Sequence, residues 1–265
     1  MTTPRPEVLV HDEERIRWIT LDRPESRNGL TIEVNERIIA ALAAAADDKG
    51  IRVVALGGAG GNFCSGLDLK AAAAAGTSGP ADTEARMRKY FHGLIRAVVA
   101  CPKPVVALCD GAAVGYGCDL ALACDLRFCS DRARFGEIFV KRGLMPDGGG
   151  TFTLPRIVGL GRALELMLTG EVVDAAEAHR IGLANRVVPA ADFARAARDY
   201  LVALAAGAPL VHKLVKQSVY AALEHGLDAA LESEVRGQLA LLSSKDFFEG
   251  VTAFFQKRPP DFKGE

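Results

Sequence analysis

Between Val8 and Leu21 the chain reads as two short strands, Val8 to His11 and Arg15 to Leu21. Ile16, Trp18 and Thr20 alternate with Arg17 and Ile19, and the acidic turn Asp12-Glu13-Glu14 joins the two. The period then changes. From Thr31 the apolar positions Ile32, Val34, Ile38, Ile39 and Leu42 recur at helical spacing, with Thr31 as an N-cap and Asp47-Asp48-Lys49-Gly50 as the stop. Arg52 to Leu56 reads as a buried strand, followed by the loop GGAGGNFCSGLDLK, an alanine run and the flexible stretch Gly76-Thr77-Ser78-Gly79-Pro80. A long helix reaches Cys101, and Val105 to Cys109 forms the next strand. GAAVGYG opens a short helix at Cys118 to Ala123, and Leu126 to Cys129 is a further strand. Beyond Pro146 the pattern is almost entirely helical, over Gly161 to Thr169, Asp174 to Ile181, Ala191 to Ala205, Pro209 to His225, Asp228 to Leu241 and Asp246 to Phe255. Repeated strand-strand-helix units with a helical C-terminal region predict an α/β fold.

The stretch Ala97 to Cys124 carries only Lys103, Asp110 and Asp119 as charges, but its prolines and glycines suit a buried strand and helix better than a membrane span. In 265 residues there are 32 Lys and Arg against 33 Asp and Glu, so no broad positive field favours nucleic acid or anionic lipid. The helix from Ile32 to Lys49 sets Arg37 and Lys49 against Glu33, Glu36, Asp47 and Asp48, and so lacks the basic stripe of an RNA-binding face. The six cysteines include no C-x-x-C pair and the five histidines no H-E-x-x-H, so reduced, buried thiols and no metal are expected. The N-terminus lacks a signal-peptide core, which makes cytoplasmic residence the expectation.

Neither glycine loop completes G-x-G-x-x-G, and no P-loop is present. Ser65 is not in a nucleophile elbow, because Phe63 and Leu67 stand where G-x-S-x-G needs glycine. Both loops, Gly66-Leu67-Asp68 and Gly115-Tyr116-Gly117, run from a strand end through glycine into a helix. Such turns expose backbone N–H groups that can hold an anion or a developing oxyanion, and equally serve tight packing. Spacing alone leaves both readings open.

FCSGLDLK (Phe63 to Lys70), CPKPVVALCDGAAVGYGCDLALACD (Cys101 to Asp125), ARFGEIFVKRGLMPDGGGTFTLPRIVG (Ala133 to Gly159) and EGVTAFFQKRPPDF (Glu249 to Phe262) together resemble the crotonase, or enoyl-CoA hydratase/isomerase, superfamily. The likeness runs from about Val8 to Phe262. It implies a crotonase spiral over residues 1–200, a helical trimerisation region over 201–265, and a trimer or a dimer of trimers. The implied ligand is an acyl-CoA thioester, with coenzyme A part of the substrate and no separate cofactor. By position, the backbone N–H groups of Leu67 and Tyr116 resemble the oxyanion hole. Lys70 resembles the lysine near the CoA phosphates, with Gly66, Asp68 and Gly115 in the same CoA-binding region. Phe254 and Lys257 resemble the pair lent to a neighbouring subunit's CoA.

The resemblance also bears on the reaction. Hydratases of the superfamily hold a water between two glutamates; here the first position is Asp119 and the second is Phe139, which takes no proton. Glu137 matches a non-catalytic position and reads as a surface charge. Asp147, in MPDGGGT, resembles the acid/base aspartate of the branch that shifts enoyl-CoA double bonds or isomerises the ring-epoxide of phenylacetyl-CoA, and is also well placed to be a turn former or N-cap. Phe139, Leu144 and Met145 are expected to supply the apolar surroundings that raise its pKa. An isomerase is therefore expected. The alternatives are an enoyl-CoA hydratase, an aryl-CoA dehalogenase with Asp147 as nucleophile and His92 as helper, and a non-catalytic acyl-CoA binder. For His92, an ordinary helix residue is the simpler reading. Walls for the acyl group are expected from Ala71 to Asp82 and from Tyr90 to Leu94.

Overall fold

The computed structural model describes residues 6–74 and 79–265. Most of the glycine-rich stretch at 76–80 lies outside the described residues. Strands β1 (Val8–Glu13) and β2 (Ile16–Leu21) form the expected hairpin, turning at Glu14 and Arg15, both with positive φ. Helix Ile32–Asp47 follows, and the Thr31 side chain accepts from the Val34 N–H as its N-cap. Further along come β3 (Val53–Gly58), β4 (Val105–Cys109), β5 (Ala112–Val114), β6 (Leu126–Ser130), β7 (Arg134–Gly136), β8 (Val172–Asp174) and β9 (Arg186–Val188).

Six strands make one sheet in the order β1-β2-β3-β4-β6-β9, with every pair parallel except the β1–β2 hairpin; β5-β7-β8 make a second, smaller sheet. The central strands β3 and β4 are apolar almost throughout because both faces of a parallel sheet are covered. Val54, Leu56, Val105 and Ala107 face a core shared with helices Ile32–Asp47, His92–Ala100 and Tyr116–Ala123. Their neighbours Val53, Ala55, Val106 and Leu108 pack on Ala197, Leu201 and Ala205 of helix Phe193–Ala205. The apolar stretch before Cys124 is thus a buried strand and a wholly buried helix. No helix among the described residues is long and apolar enough to cross a membrane. All six cysteines are free and buried.

The region beyond Pro146 is less uniformly helical than its pattern suggests. β8 and β9 interrupt it, and β9 closes the edge of the main sheet through pairing with β6. Helix Pro209–Ala222 is tied to the sheet by Lys216, whose ammonium donates to the Asp125 carboxylate at 2.7 Å and to the carbonyls of Val98 and Lys103. Asp125 in turn accepts the Val105 N–H at the start of β4.

Candidate active site

Ligands of parallel α/β sheets bind beyond the carboxyl ends of the strands, and there the two glycine loops converge. The segment after β3 is stitched to β5 by three backbone hydrogen bonds, Phe63 N–H and Cys64 N–H to the Ala112 carbonyl and Val114 N–H to the Cys64 carbonyl. This brings Gly66 against the start of helix Tyr116–Ala123. A Cβ on Gly66 would lie 3.1 Å from the Val114 oxygen and 3.2 Å from the Tyr116 nitrogen, and its φ of 88° suits glycine. Tyr116 is the first residue of its helix and its N–H has no acceptor within it. Neither that N–H nor the adjacent Leu67 N–H donates a hydrogen bond to another described residue. Two donors without acceptors are what the anion-holding reading of the glycine loops requires.

The Tyr116 side chain serves the site's frame. Its hydroxyl donates to the Phe91 carbonyl at 2.6 Å, and the two rings meet edge to face. The carbonyl belongs to a π-helical turn, Met87–Phe91, that leads into helix His92–Ala100. Pro80, Thr83, Glu84, Met87, Arg88 and His92 line a cavity of about 530 Å³. Only Pro80 and His92 fall within the segments expected to wall the acyl group; Thr83, Glu84, Met87 and Arg88 lie between those segments.

Asp147 lies in the loop before helix Gly150–Val158, half-buried, with Oδ1 enclosed and without a hydrogen-bond partner. Burial raises its pKa, and the nearby His92 opposes that rise. Leu144 and Met145, expected to enclose it, are instead 57% and 69% exposed in the single chain, because the loop turns outward after Gly143. Phe139 is buried, as a pocket wall requires.

Asp119 has no exposed surface, and one of its oxygens accepts the Gly148 N–H at 2.7 Å. Glu137 is the clearest departure from expectation. It is 2% exposed rather than a surface charge; it directly follows β7, between the buried Phe135 and Phe139. It lies beside Cys118 and Asp119, and burial pushes its carboxyl up to about 7. Burial, then the neighbouring Glu137, push Asp119 well above the usual carboxylate range. Its two-residue spacing from Phe139 was a signal for burial, and its charge and non-catalytic position argued for solvent instead.

The implied CoA-contacting residues divide. Asp68 caps helix Leu69–Ala74 by accepting from the Lys70 and Ala71 N–H groups, and pairs with Arg23 at 2.8 Å; those bonds, the Ala71 N–H first, hold its carboxyl below the usual range. Lys70 is exposed beside it. Gly115 donates its N–H to the Gly136 carbonyl, linking the oxyanion corner to the strand before Glu137. Phe254 is 77% exposed on helix Lys245–Gln256, and Lys257 ends that helix in the left-handed region.

The fold brings two glycine loops with unpaired backbone donors together, and comparison with known proteins gives the class. The enoyl-CoA hydratase/isomerase family pattern matches residues 11–265, and the chain belongs to that family. It is 42% identical to a protein of Rhodobacter capsulatus named "Probable enoyl-CoA hydratase", over 95% of each chain. It is also 35% identical to the 1,2-epoxyphenylacetyl-CoA isomerase of Escherichia coli, over 97% of this chain and 98% of that one. The crystal structure of an enoyl-CoA hydratase from Bacillus anthracis superposes with a TM-score of 0.93 at 32% identity, covering 98% of this chain and all of that one.

Proposed function

We propose that the protein is an acyl-CoA isomerase that moves a double bond along the acyl chain through a thioester enolate. The observation that carries the reading is Asp147: a half-buried carboxyl with one unpartnered oxygen, its pKa raised by burial, on a loop that Asp119, three residues after Tyr116, holds through the Gly148 N–H. The N–H groups of Leu67 and Tyr116 take the thioester oxygen and strengthen their bonds as charge develops there, which acidifies the neighbouring carbon. Asp147 removes a proton from one end of the three-carbon unit, leaving a dienolate, and returns it at the other. One carboxyl suffices for this shift. A ring-epoxide of phenylacetyl-CoA is the second substrate type that the resemblance suggests.

Hydration is the competing reading, favoured by the name of the Rhodobacter capsulatus relative. Adding water needs a second acid/base at the double bond; by the resemblance Phe139 stands at that position, and Asp119 and Glu137 are enclosed. For assembly we propose a trimer or a dimer of trimers. Supporting this are the exposed apolar side chains of the C-terminal helices, including Val215, Val219, Leu239, Phe254 and Phe255. The test of activity is a panel of 2-enoyl-, 3-enoyl- and phenylacetyl-type CoA thioesters, each assayed for isomerisation and for hydration. Isomerisation faster than hydration supports the proposal, and rapid hydration of crotonyl-CoA with no double-bond shift refutes it.

A further inference from the structure

Behind the site lies a group of buried acids that the proposed proton shuttle does not use. Asp119 comes from helix Tyr116–Ala123 and Glu137 from the end of β7, and their carboxyls converge on the start of helix Gly150–Val158. A Cβ on Gly150 would strike Asp119 Oδ1 and lie 3.3 Å from Glu137 Oε1, so only glycine leaves room for both. Asp119 Oδ1 and both oxygens of Glu137 are buried with no backbone or charged donor; the groups beside Glu137 are the Cys118 thiol, a weak donor, and Asp119 itself. Two enclosed carboxylates whose facing oxygens have no strong donor are strongly disfavoured. A proton held between them removes one charge and turns one acid into the donor the other lacks. The titratable groups around them are Tyr116 and Cys118 on the helix, Asp147 on the loop, and His92 on the facing helix, beside Asp147. Among these, Tyr116 and Cys118 are themselves held protonated by burial.

We propose that Asp119 and Glu137 share a proton and act together as the positioning residues of Asp147: Glu137 fixes the Asp119 carboxyl, and Asp119 holds the Gly148 N–H one residue beyond the acid/base. The proposal rests on Asp147 being that acid/base. Burial pushing Glu137 up to about 7 agrees with a protonated pair at neutral pH and with its loss above that range. Ionisation of both acids would drive them apart and release the turn that presents Asp147.

The test compares Glu137→Leu, Glu137→Gln and the unaltered protein in the isomerisation of a 3-enoyl-CoA across pH, with infrared detection of protonated carboxyls. Glu137→Leu leaves Asp119 Oδ1 without a donor, so kcat should fall at least tenfold with KM within threefold. Glu137→Gln supplies a permanent amide donor and should restore most of that loss. Its kcat should also persist at least one pH unit further into the alkaline range than that of the unaltered protein. The unaltered protein at pH 6 should show a carboxylic-acid carbonyl band that Glu137→Gln diminishes. Absence of that band, or equal kcat and the same pH profile in all three proteins, overturns the proposal. If Asp147→Asn retains full turnover, the underlying assignment of Asp147 has failed instead, and the infrared band still reports on the shared proton.

Discussion

The Asp119 carboxyl accepts the Gly148 N–H at 2.7 Å, so a side chain buried in helix Tyr116–Ala123 holds the peptide that directly follows Asp147. The bond joins two pieces of the candidate site that are 29 residues apart, the helix that begins at Tyr116 and the loop that carries Asp147. Each piece therefore depends on the packing of the other, and glycine is what permits their approach.

Gly148→Ala tests that dependence. Its Cβ would lie 2.6 Å from Asp119 Cβ and 2.9 Å from Tyr116 Cε2, closer than packed carbons tolerate. The expected cost is about 1–3 kcal/mol of stability from overpacking, with turnover lost beyond what the lower Tm explains. Gly93→Ala is the control: its Cβ meets Ile39 Cδ1 at an ordinary 3.7 Å within a helix, and Tm should hold. Thermal melts and kcat for the two variants check this.

The oxyanion corner uses a backbone hydrogen, so its side chains matter through shape. Leu67→Pro removes the donor and should lower kcat roughly a hundredfold, about 3 kcal/mol of transition-state stabilisation. Leu67→Ala keeps the N–H and should stay within severalfold of the unaltered rate. Equal, small effects would show that the N–H is not used.

Stability should also vary with pH through Glu137. Its carboxyl rises from 4.5 to about 7 on folding, so the folded state holds a proton that the unfolded chain has already released between those values. Stability from this group is therefore fully present below about pH 4.5 and is lost as pH rises through 7. The loss amounts to about 3 kcal/mol at most. Denaturant titrations of the unaltered protein and Glu137→Gln at pH 5 and pH 8 should show a fall in the former that the latter lacks.

Elements that carry their own pattern were legible in the sequence. Helix Ile32–Asp47 announces itself through its cap and apolar stripe, and β4 falls on the expected Val105 to Cys109 because a strand buried on both faces is apolar at every position. The three-residue strands β5, β7, β8 and β9 were not legible, since so short a segment shows no period and exists through its pairing. Leu67, Tyr116 and Asp147 were named from motifs, and the structure leaves the N–H groups of the first two without acceptors and the third half-buried with one unpartnered oxygen. Glu137 could not, because its charge suggested solvent while its burial depends on Asp119 and Cys118 from another element. Leu144 and Met145 failed the opposite way: apolar side chains near Asp147 in sequence turn outward with the loop.

The central claim is that Asp147 carries the proton, and the most direct measurement is the steady-state isomerisation of a 3-enoyl-CoA by Asp147→Asn. The amide keeps the size of the carboxyl but accepts no proton, so kcat should fall roughly a hundredfold to ten-thousandfold while KM changes little. Retention of kcat within severalfold, together with its abolition in Asp119→Asn and rapid hydration of crotonyl-CoA by the unaltered protein, would contradict the assignment and make the enzyme a one-carboxylate hydratase.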